Sequence, residues 1–323
     1  MKKTFFGGHM LGPALILLCT VIWGSAFIAQ KLGADHFGPF AINAYRNLLA
    51  GVFLWSCLRL RAKHEMRCTR HELLGGLASG VVLFSAMMAQ QLGIEKTTPG
   101  VSAFLTANYV LIVPLLAWLV GKVRPTSWIC LGVTLALLGT YFLTLNPQLS
   151  NPDPHPSTLN SISGELWTLA CAVLFAVQIM VVDRFAPGND MLRFSMVQMF
   201  VAGFAALPFV FLPSELARTS WTSFVKGLPA LVYLGVFSSG IAYTLQNLGQ
   251  ARTPPAFAAI IMSMESVFGA LFGWLLLGDK MSPCQLFGCA LVLLAVVLAQ
   301  MPQRGSGCRT SLAESDSQDS VGG

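Results

Sequence analysis

The sequence predicts an all-α integral membrane protein of ten transmembrane helices, arranged as two inverted five-helix repeats. Three observations predict this fold: a composition too apolar for a soluble surface, ten apolar stretches of membrane-spanning length, and matching residue patterns in the two halves of the chain. These observations bear, respectively, on the environment of the protein, the number of its spans and their arrangement.

The composition excludes an ordinary soluble protein. Hydrophobic residues make up 54% of the 323 residues and charged residues only 11%, whereas soluble globular proteins carry about 25% charged residues. Because so few charges cannot cover a soluble surface, most of the surface is expected to face lipid. The net charge of +6 does not indicate nucleic-acid binding, since the basic residues lie in short segments between apolar stretches.

Ten apolar stretches are long enough, at about 20 residues each, for a helix to cross the bilayer core of about 30 Å. In chain order they are 11–30, 38–58, 73–94, 98–120, 125–145, 163–182, 191–212, 228–248, 254–277 and 283–301. We number them spans 1 to 10.

The spans fall into two sets, which predict a first repeat at 11–145 and a second at 163–301. Residues 146–162 contain four prolines and no Lys or Arg, which predicts an extended external linker. Residues 302–323 are rich in Ser, Gly and acidic residues, which predicts a disordered cytoplasmic tail.

The distribution of Lys and Arg predicts the orientation of the chain. With sides alternating from a cytoplasmic start, fourteen of these residues fall in inside segments and five in outside segments. Cytoplasmic loops of membrane proteins carry such an excess of positive charge. We therefore predict a multi-pass protein of the cell inner (plasma) membrane with both termini in the cytoplasm.

Residue matches relate the two sets of spans. Gln90-Gln91-Leu92-Gly93 corresponds to Gln246-Asn247-Leu248-Gly249 at an offset of 156, and Cys19 corresponds to Cys171 at an offset of 152. Because each set has an odd number of spans, the second must lie inverted relative to the first. Many secondary transporters are built from inverted repeats around a central site that opens to alternate sides.

Short motifs in both halves point to a known family. They are Trp23-Gly24-Ser25-Ala26-Phe27, Tyr45-Arg46-Asn47-Leu48-Leu49-Ala50, and the segment from Met262 to Asp279. Together they resemble the EamA family of the drug/metabolite transporter superfamily over nearly all of 11–301. The resemblance implies the ten-helix fold and export of amino acids or related small metabolites, with efflux of amphipathic drug-like compounds as the alternative. The chain has Ser266 and Asp279 where the family favours Pro and Glu.

Glu265 is the foremost candidate for binding a solute. It lies at the midpoint of span 9 among apolar residues, where a charge costs about 2.5–3.5 kcal/mol on insertion scales. It is expected to contact a substrate ammonium group or carry a coupling proton, or else to be a hydrogen-bonded packing residue. Its counterpart in the first repeat is Tyr109, with Asn108 beside it. A site between spans 4 and 9 would suit a zwitterionic or amino-bearing molecule, or these two residues simply bridge helices.

Arg46 in span 2 is the second charged candidate. Its guanidinium could bind a substrate carboxylate, point outward to the interface, or pair with Glu265 or Asp35. Trp23, Ser25 and Gln178 are further candidates for lining the cavity, with core packing as the alternative for Trp23. The pairs Gln90-Gln91 and Gln246-Asn247 fall at opposite ends of the predicted pathway. They are expected either to line two gates or to cap helix ends.

The sequence carries no pattern typical of an enzyme. The histidines lie in termini, loops or helix edges, and no Gly-x-Ser-x-Gly, Walker A or metal-ligand spacing occurs. We therefore predict no catalytic residues, no metal and no cofactor. A lipid-modifying enzyme, a channel and a non-transport membrane subunit remain alternatives to a carrier. The predicted partners are a small-molecule solute and the lipid bilayer, without nucleic acid, and the sequence leaves a monomer and a homodimer both open.

Overall fold

A computed structural model describes residues 7–61, 67–94, 96, 105–121, 124–144, 158–218, 220–277 and 282–299. Within these ranges the chain is helical and contains no strand. Most of the predicted linker at 146–162 and all of the predicted tail at 302–323 lie outside the described residues. Helix formation nevertheless begins at Thr158, inside the predicted linker.

The first half of the chain contributes five helices to the described structure. They are α1 (Gly7–Ala34), α2 (Pro39–Arg61), α3 (Arg70–Ile94), α4 (Tyr109–Gly121) and α5 (Ser127–Thr144).

The second half is more subdivided. It contains α6 (Thr158–Phe185), α7 (Met191–Ala206) with a 3-10 turn at Leu207–Phe211, α8 (Pro213–Arg218), and α9 (Trp221–Val232), which continues through a π-helical segment (Tyr233–Ala242) into α10 (Tyr243–Gln250). It ends with α11 (Pro255–Met262), α12 (Met264–Phe272), a π-helical turn at Gly273–Leu277, and α13 (Pro283–Ala299).

Among the described residues, six helical runs are long and apolar enough to cross a membrane. They are Met10–Gln30, Arg70–Gly93, Ile162–Phe185, Met191–Phe211, Trp221–Gln250 and Pro255–Leu276. Three further apolar helices are shorter, namely Tyr109–Gly121, Ser127–Phe142 and Pro283–Ala299. Helix α2 is long enough, at 23 residues, but its sequence is less apolar because it contains the polar residues Asn43, Arg46 and Asn47. All three are buried inside the bundle.

The surface of the bundle is apolar and its interior is partly polar, which is the reverse of a soluble protein. Large apolar side chains such as Leu60, Leu119 and Trp221 are mostly exposed, whereas Gln178 and Asn247 are completely buried. Lipid solvates apolar side chains but cannot hydrogen-bond to amides, so the polar groups lie between helices. The described structure is therefore that of a multi-pass membrane protein.

The helices pack in pairs that correspond between the two halves. Helix α2 packs on α7, which is its counterpart in the second half of the chain. Helix α5 packs in the same way on its own counterpart, α13. The contact of α3 with α6 corresponds to that of α10 with α1, and the contact of α4 with α6 corresponds to that of α12 with α1. The largest buried apolar cluster joins α1, α4, α5, α6, α11 and α13.

Charged side chains connect the helices at one end of this bundle, which we call the arginine-rich end and define by Arg61, Arg67, Arg193 and Arg252. Arg61 approaches Asp190 at 3.5 Å, and Arg193 donates to the Arg67 carbonyl at 2.9 Å. Arg61 and Arg252 both line one cavity at this end. The charge pattern of the sequence predicts that this end faces the cytoplasm.

Candidate functional site

The predicted ninth span is not one continuous helix, because it breaks at Ser263 between α11 and α12. The Ser263 backbone N–H lies 3.2 Å from the carbonyls of both Ala259 and Ile260, and its hydroxyl donates to the Ile260 carbonyl at 2.6 Å. A side chain that bonds to the preceding turn in this way competes with the regular helical ladder. Glu265 therefore lies in the first turn of α12 and not at the middle of a regular helix.

The first repeat breaks at the corresponding position. Ala107 and Asn108 form a turn immediately before α4, and Ala107 corresponds to Ser263 at the offset of 156. The Asn108 backbone N–H and its side-chain amide donate to the Leu105 carbonyl at 3.2 and 3.0 Å. Pro114 lies farther along, inside α4. Tyr109 is thus the first residue of α4 and Glu265 the second residue of α12, so both lie in the first turn of a new helix.

Glu265 lies within electrostatic range of side chains from four other helices. Its carboxylate is close enough to interact electrostatically with Tyr109 of α4 and Tyr243 of α10. It also interacts with two buried thiols, Cys19 of α1 and Cys171 of α6. Within the described residues its carboxylate has no hydrogen bond and no ion pair. An unpaired carboxylate among aromatic rings favours binding a cation or a proton.

Arg46 is a second charged group of the same region. It is 6% exposed, and its guanidinium donates only to the Met87 sulfur, at 3.7 Å, among the described residues. Its Nε has no described hydrogen-bond partner, and no ion pair joins it to Glu265 or Asp35 within the described ranges. Arg46 interacts electrostatically with Tyr243, which also interacts with Glu265. Tyr243 therefore lies within electrostatic range of both charges.

Trp23 and Ser25 occupy the α1 side of this region. The Trp23 indole N–H donates to the Ser238 carbonyl at 3.1 Å, and its ring packs edge-on against Tyr243 with centroids 4.8 Å apart. The Ser25 hydroxyl pairs with the Tyr233 hydroxyl. Trp23 thus contributes an aromatic wall beside the two charges, while Ser25 links α1 to the π-helical segment.

The structure brings together two of the predicted amides, Gln246 and Gln178, and joins a third, Asn247, to side chains of α7. The Gln246 amide donates to Gln178 Oε1 at 3.3 Å. The Asn247 amide donates to Gln198 Oε1 at 2.8 Å and to Ser195 Oγ at 2.9 Å. Hydrogen bonds of this kind hold membrane helices together.

The amides of the first repeat, Gln90 and Gln91, are half-buried. A gating role for the four residues of the two pairs remains a prediction.

Several residues of the region were not singled out from the sequence. Tyr243 and Met87 correspond to each other at the offset of 156, as Cys19 and Cys171 do at the offset of 152. The sequence does indicate Tyr243 in one way. It lies three residues before the candidate Gln246, which places both side chains on one face of a helix. Nothing in the local sequence indicated that the thiols would flank Glu265.

Metal-ligating side chains do not cluster among the described residues. No group of three or more His, Cys, Asp or Glu side chains able to hold a metal ion occurs among them. A cavity of about 490 Å³ lies at the arginine-rich end, away from Glu265. Its walls include Arg61, Gly188, Leu248 and Arg252.

An apolar exterior, interrupted membrane helices and isolated charges in the interior define a class, that of multi-pass membrane proteins whose charged groups lie inside the helix bundle. The model of the EamA-like transporter family matches residues 10–145 and again 162–301. The chain therefore belongs to the EamA-like transporter family, and the resemblance seen in its motifs is confirmed.

Relatives from archaea, bacteria and plants are similar to this chain over most of their length. An uncharacterized transporter of Archaeoglobus fulgidus is 29% identical over 90% of this chain and 85% of its own. The uncharacterized inner membrane transporter YedA of Escherichia coli is 25% identical over 87% and 88%, respectively. A chloroplastic WAT1-related protein of Arabidopsis thaliana is 23% identical over 92% and 71%.

A crystal structure of another protein has the same fold. It superposes with a TM-score of 0.74 at 18% identity and covers 90% of this chain and 96% of the other. At this level of identity the similarity concerns the fold alone. Family and relatives together indicate a transporter rather than an enzyme.

Proposed function

We propose that this protein is a secondary carrier that exports small zwitterionic metabolites, such as amino acids or related compounds, by alternating access. The observation that carries the proposal is the presence of two opposite charges, Arg46 and Glu265, that lack an ionic partner among the described residues and share Tyr243 as a neighbour. Arg46 is buried and Glu265 is half-buried, and an unpaired charge at membrane depth is costly. A zwitterion would neutralise both, with its carboxylate on Arg46 and its ammonium on Glu265.

The aromatic residues extend the proposal to the rest of the solute. Trp23 packs on Tyr243, and Tyr109 of α4 lies within electrostatic range of Glu265. Aromatic faces attract cations and bury apolar groups. The same walls would suit an amphipathic drug-like cation, which is the second candidate function and requires Glu265 but not Arg46.

The proposed architecture is two inverted five-helix repeats, at 11–145 and 163–301, which form ten spans in the inner (plasma) membrane with both termini in the cytoplasm. It is supported by the corresponding helix packings and by helix breaks at equivalent positions in both halves. Alternating access then consists of one repeat exchanging conformation with the other around Glu265.

Counterflow into liposomes containing the purified protein tests this function. A labelled amino acid is compared with its decarboxylated amine and its deaminated acid. We expect saturable, exchange-stimulated uptake of the zwitterion, which Glu265→Gln and Arg46→Gln each lower by roughly 10- to 100-fold, since a charge-assisted hydrogen bond contributes about 1.5–3 kcal/mol. Arg59→Gln is the matched control, because it removes an exposed arginine from the same helix.

Each alternative has a distinct outcome in the same experiment. Wild-type uptake by Glu265→Gln would contradict the assigned role of the carboxylate. Uptake of the amine that Arg46→Gln leaves unchanged would favour efflux of amphipathic cations. A conductance that rises linearly with solute concentration would identify a channel.

A further inference from the structure

One face of α10 forms a buried polar column from the central region to the arginine-rich end. Tyr243, Gln246, Gln250 and Thr253 follow one another at spacings of three, four and three residues, which places them on one side of a helix and its terminal turn. All four are buried, and Gln250 is 2% exposed. The column starts at Tyr243, which lies within electrostatic range of Arg46 and Glu265.

Most polar side-chain atoms of this column have no hydrogen-bond partner within the part of the chain that the structure describes. Both amide atoms of Gln250, the Gln246 carbonyl oxygen and the Thr253 hydroxyl lack a hydrogen bond among the described residues. Gln246 is linked to Gln178 of α6, whose own amide nitrogen is also unpartnered. Leaving such groups buried and unpaired costs about 1–3 kcal/mol each. Groups of this kind are expected where water or a polar solute occupies the space in another conformation.

A close contact of two glycines closes the column at its end. A Cβ atom added to Gly12 of α1 would lie 3.0 Å from the Gly249 carbonyl and 2.9 Å from Arg252 Cβ. A Cβ atom added to Gly249 would lie 2.8 Å from the Gly12 carbonyl. The backbones of α1 and α10 therefore touch here, and any side chain at either position would separate them. We call this contact the α1–α10 seam.

The other half of the chain has the equivalent contact at the opposite end of the bundle. Gly164 of α6 and Gly93 of α3 correspond to Gly12 and Gly249 at offsets of 152 and 156. A Cβ atom on Gly93 would lie 3.2 Å from the Gly164 carbonyl, and one on Gly164 would lie 2.9 Å from Lys96 Cβ. Lys96 is itself the counterpart of Arg252. The two seams thus repeat one construction on the two sides of the central cluster.

We propose that the polar column Tyr243, Gln246, Gln250 and Thr253 is the half of the translocation pathway that leads to the arginine-rich end, and that the α1–α10 seam is the gate that closes it. This assignment rests on the proposed carrier function. The α3–α6 seam at Gly93 and Gly164 is then the opposite gate. The corresponding face of α3 is less polar than the column on α10. Met87, Gln90 and Ile94 of α3 correspond to Tyr243, Gln246 and Gln250.

Labelling of introduced cysteines tests the route without knowledge of the substrate. The full chain is used with its eight native cysteines replaced by serine or alanine, and Gln250→Cys is added. A membrane-impermeant maleimide is applied separately to each face of the membrane in vesicles of defined orientation. We expect labelling from the face that carries Arg61 and Arg252. Leu248→Cys, which lines the cavity on the other side of α10, is the matched accessible control.

Gly12→Ala then tests the gate. The added methyl group cannot fit in the seam, so it should shift the protein toward the conformation that is open on this side. We expect the labelling rate at position 250 to rise about tenfold, in proportion to the open population. Gly249→Ala should act likewise. Gly164→Ala should hold the opposite side open and lower the rate. Labelling at Leu248→Cys should stay constant in all variants, which also shows that the fold is intact.

Two results would overturn the proposal. One is absence of labelling at Gln250→Cys from the arginine-rich face in protein with both seams intact, with and without a transported amino acid. The other is an unchanged labelling rate in folded Gly12→Ala and Gly249→Ala. Amino-acid counterflow in the same vesicles separates the two proposals. Amino-acid counterflow without labelling at Gln250→Cys would refute the proposed pathway. Labelling that changes with the glycine substitutions, but without amino-acid counterflow, would refute the proposed substrate.

Discussion

Removing the Glu72 side chain is the sharpest test of how the arginine-rich end holds together. The Glu72 carboxylate is almost completely buried and connects three segments of the chain. One oxygen accepts from the Thr69 backbone N–H at 2.8 Å, and the other accepts from the Asp190 N–H at 3.0 Å and pairs with Arg193 Nε at 3.3 Å. It therefore caps α3, anchors the turn before α7 and neutralises a half-buried arginine.

The size of the effect follows from these contacts. A hydrogen bond to a charged group contributes about 1.5–3 kcal/mol, and breaking a fully buried ion pair costs about 3–5 kcal/mol. Both values must be reduced here, because Thr69 is exposed and Arg193 keeps its bond to the Arg67 carbonyl. We expect Glu72→Ala to lower the free energy of unfolding by about 2–4 kcal/mol, and Glu72→Gln by about half of that.

The matched control is the neighbouring ion pair of Arg61 with Asp190. The Arg61 side chain is 67% exposed and its closest approach is 3.5 Å, so Arg61→Ala should cost no more than about 0.5 kcal/mol. Thermal unfolding of purified protein in detergent can be followed with a thiol-reactive dye, because the buried Cys19 and Cys171 become reactive on unfolding. Equal unfolding temperatures for Glu72→Ala and Arg61→Ala would refute the reasoning.

Three further perturbations address other features. Asn247→Ala should destabilise the protein by about 2–3 kcal/mol in the same dye assay, because it leaves two buried acceptors on α7 without a donor; a loss below that of Arg61→Ala would contradict this. Gly80→Ala should cost about 1–3 kcal/mol, since its Cβ would lie 2.7 Å from the Gln198 carbonyl, and wild-type stability would show that α3 and α7 separate easily. The pKa of the Cys68 thiol is raised, mainly by its partial burial and secondly by the nearby Glu72 carboxylate. Cys68 should therefore be alkylated more slowly at neutral pH than an ordinary exposed cysteine, and Glu72→Gln should speed the reaction, as peptide mapping of labelled protein would measure; no acceleration would exclude this electrostatic cause.

The membrane class and the family could be predicted from the sequence because both depend on local properties. A stretch such as 163–182 is apolar whatever packs against it, and the motif around Trp23 is a contiguous run of residues. The positions of the helix breaks could not be predicted in this way. Ser263 is polar and small, but only its bond to the Ile260 carbonyl shows that it ends α11.

The candidate site was predictable in its charges but not in its surroundings. Glu265 and Arg46 stood out because ionisable residues are rare and costly inside apolar spans. Their shared neighbour Tyr243 lies 197 positions from Arg46 along the chain, so its role depends on how α2 packs against the α9–α10 run. The same holds for Cys19 and Cys171, which lie in different halves of the chain and come within electrostatic range of Glu265 only in the folded protein.

The sequence by itself determined that this protein lives in a membrane, that its halves are related and that it belongs with the EamA-like transporters. Transfer of a side chain from water to lipid is a property of that side chain, and the correspondence of the halves is a property of residue order. Only the tertiary structure decided which polar atoms are left without partners and where two backbones touch at Gly12 and Gly249. Hydrogen bonds and steric contacts act over a few ångströms between residues far apart in the chain, so they exist only once the helices are packed.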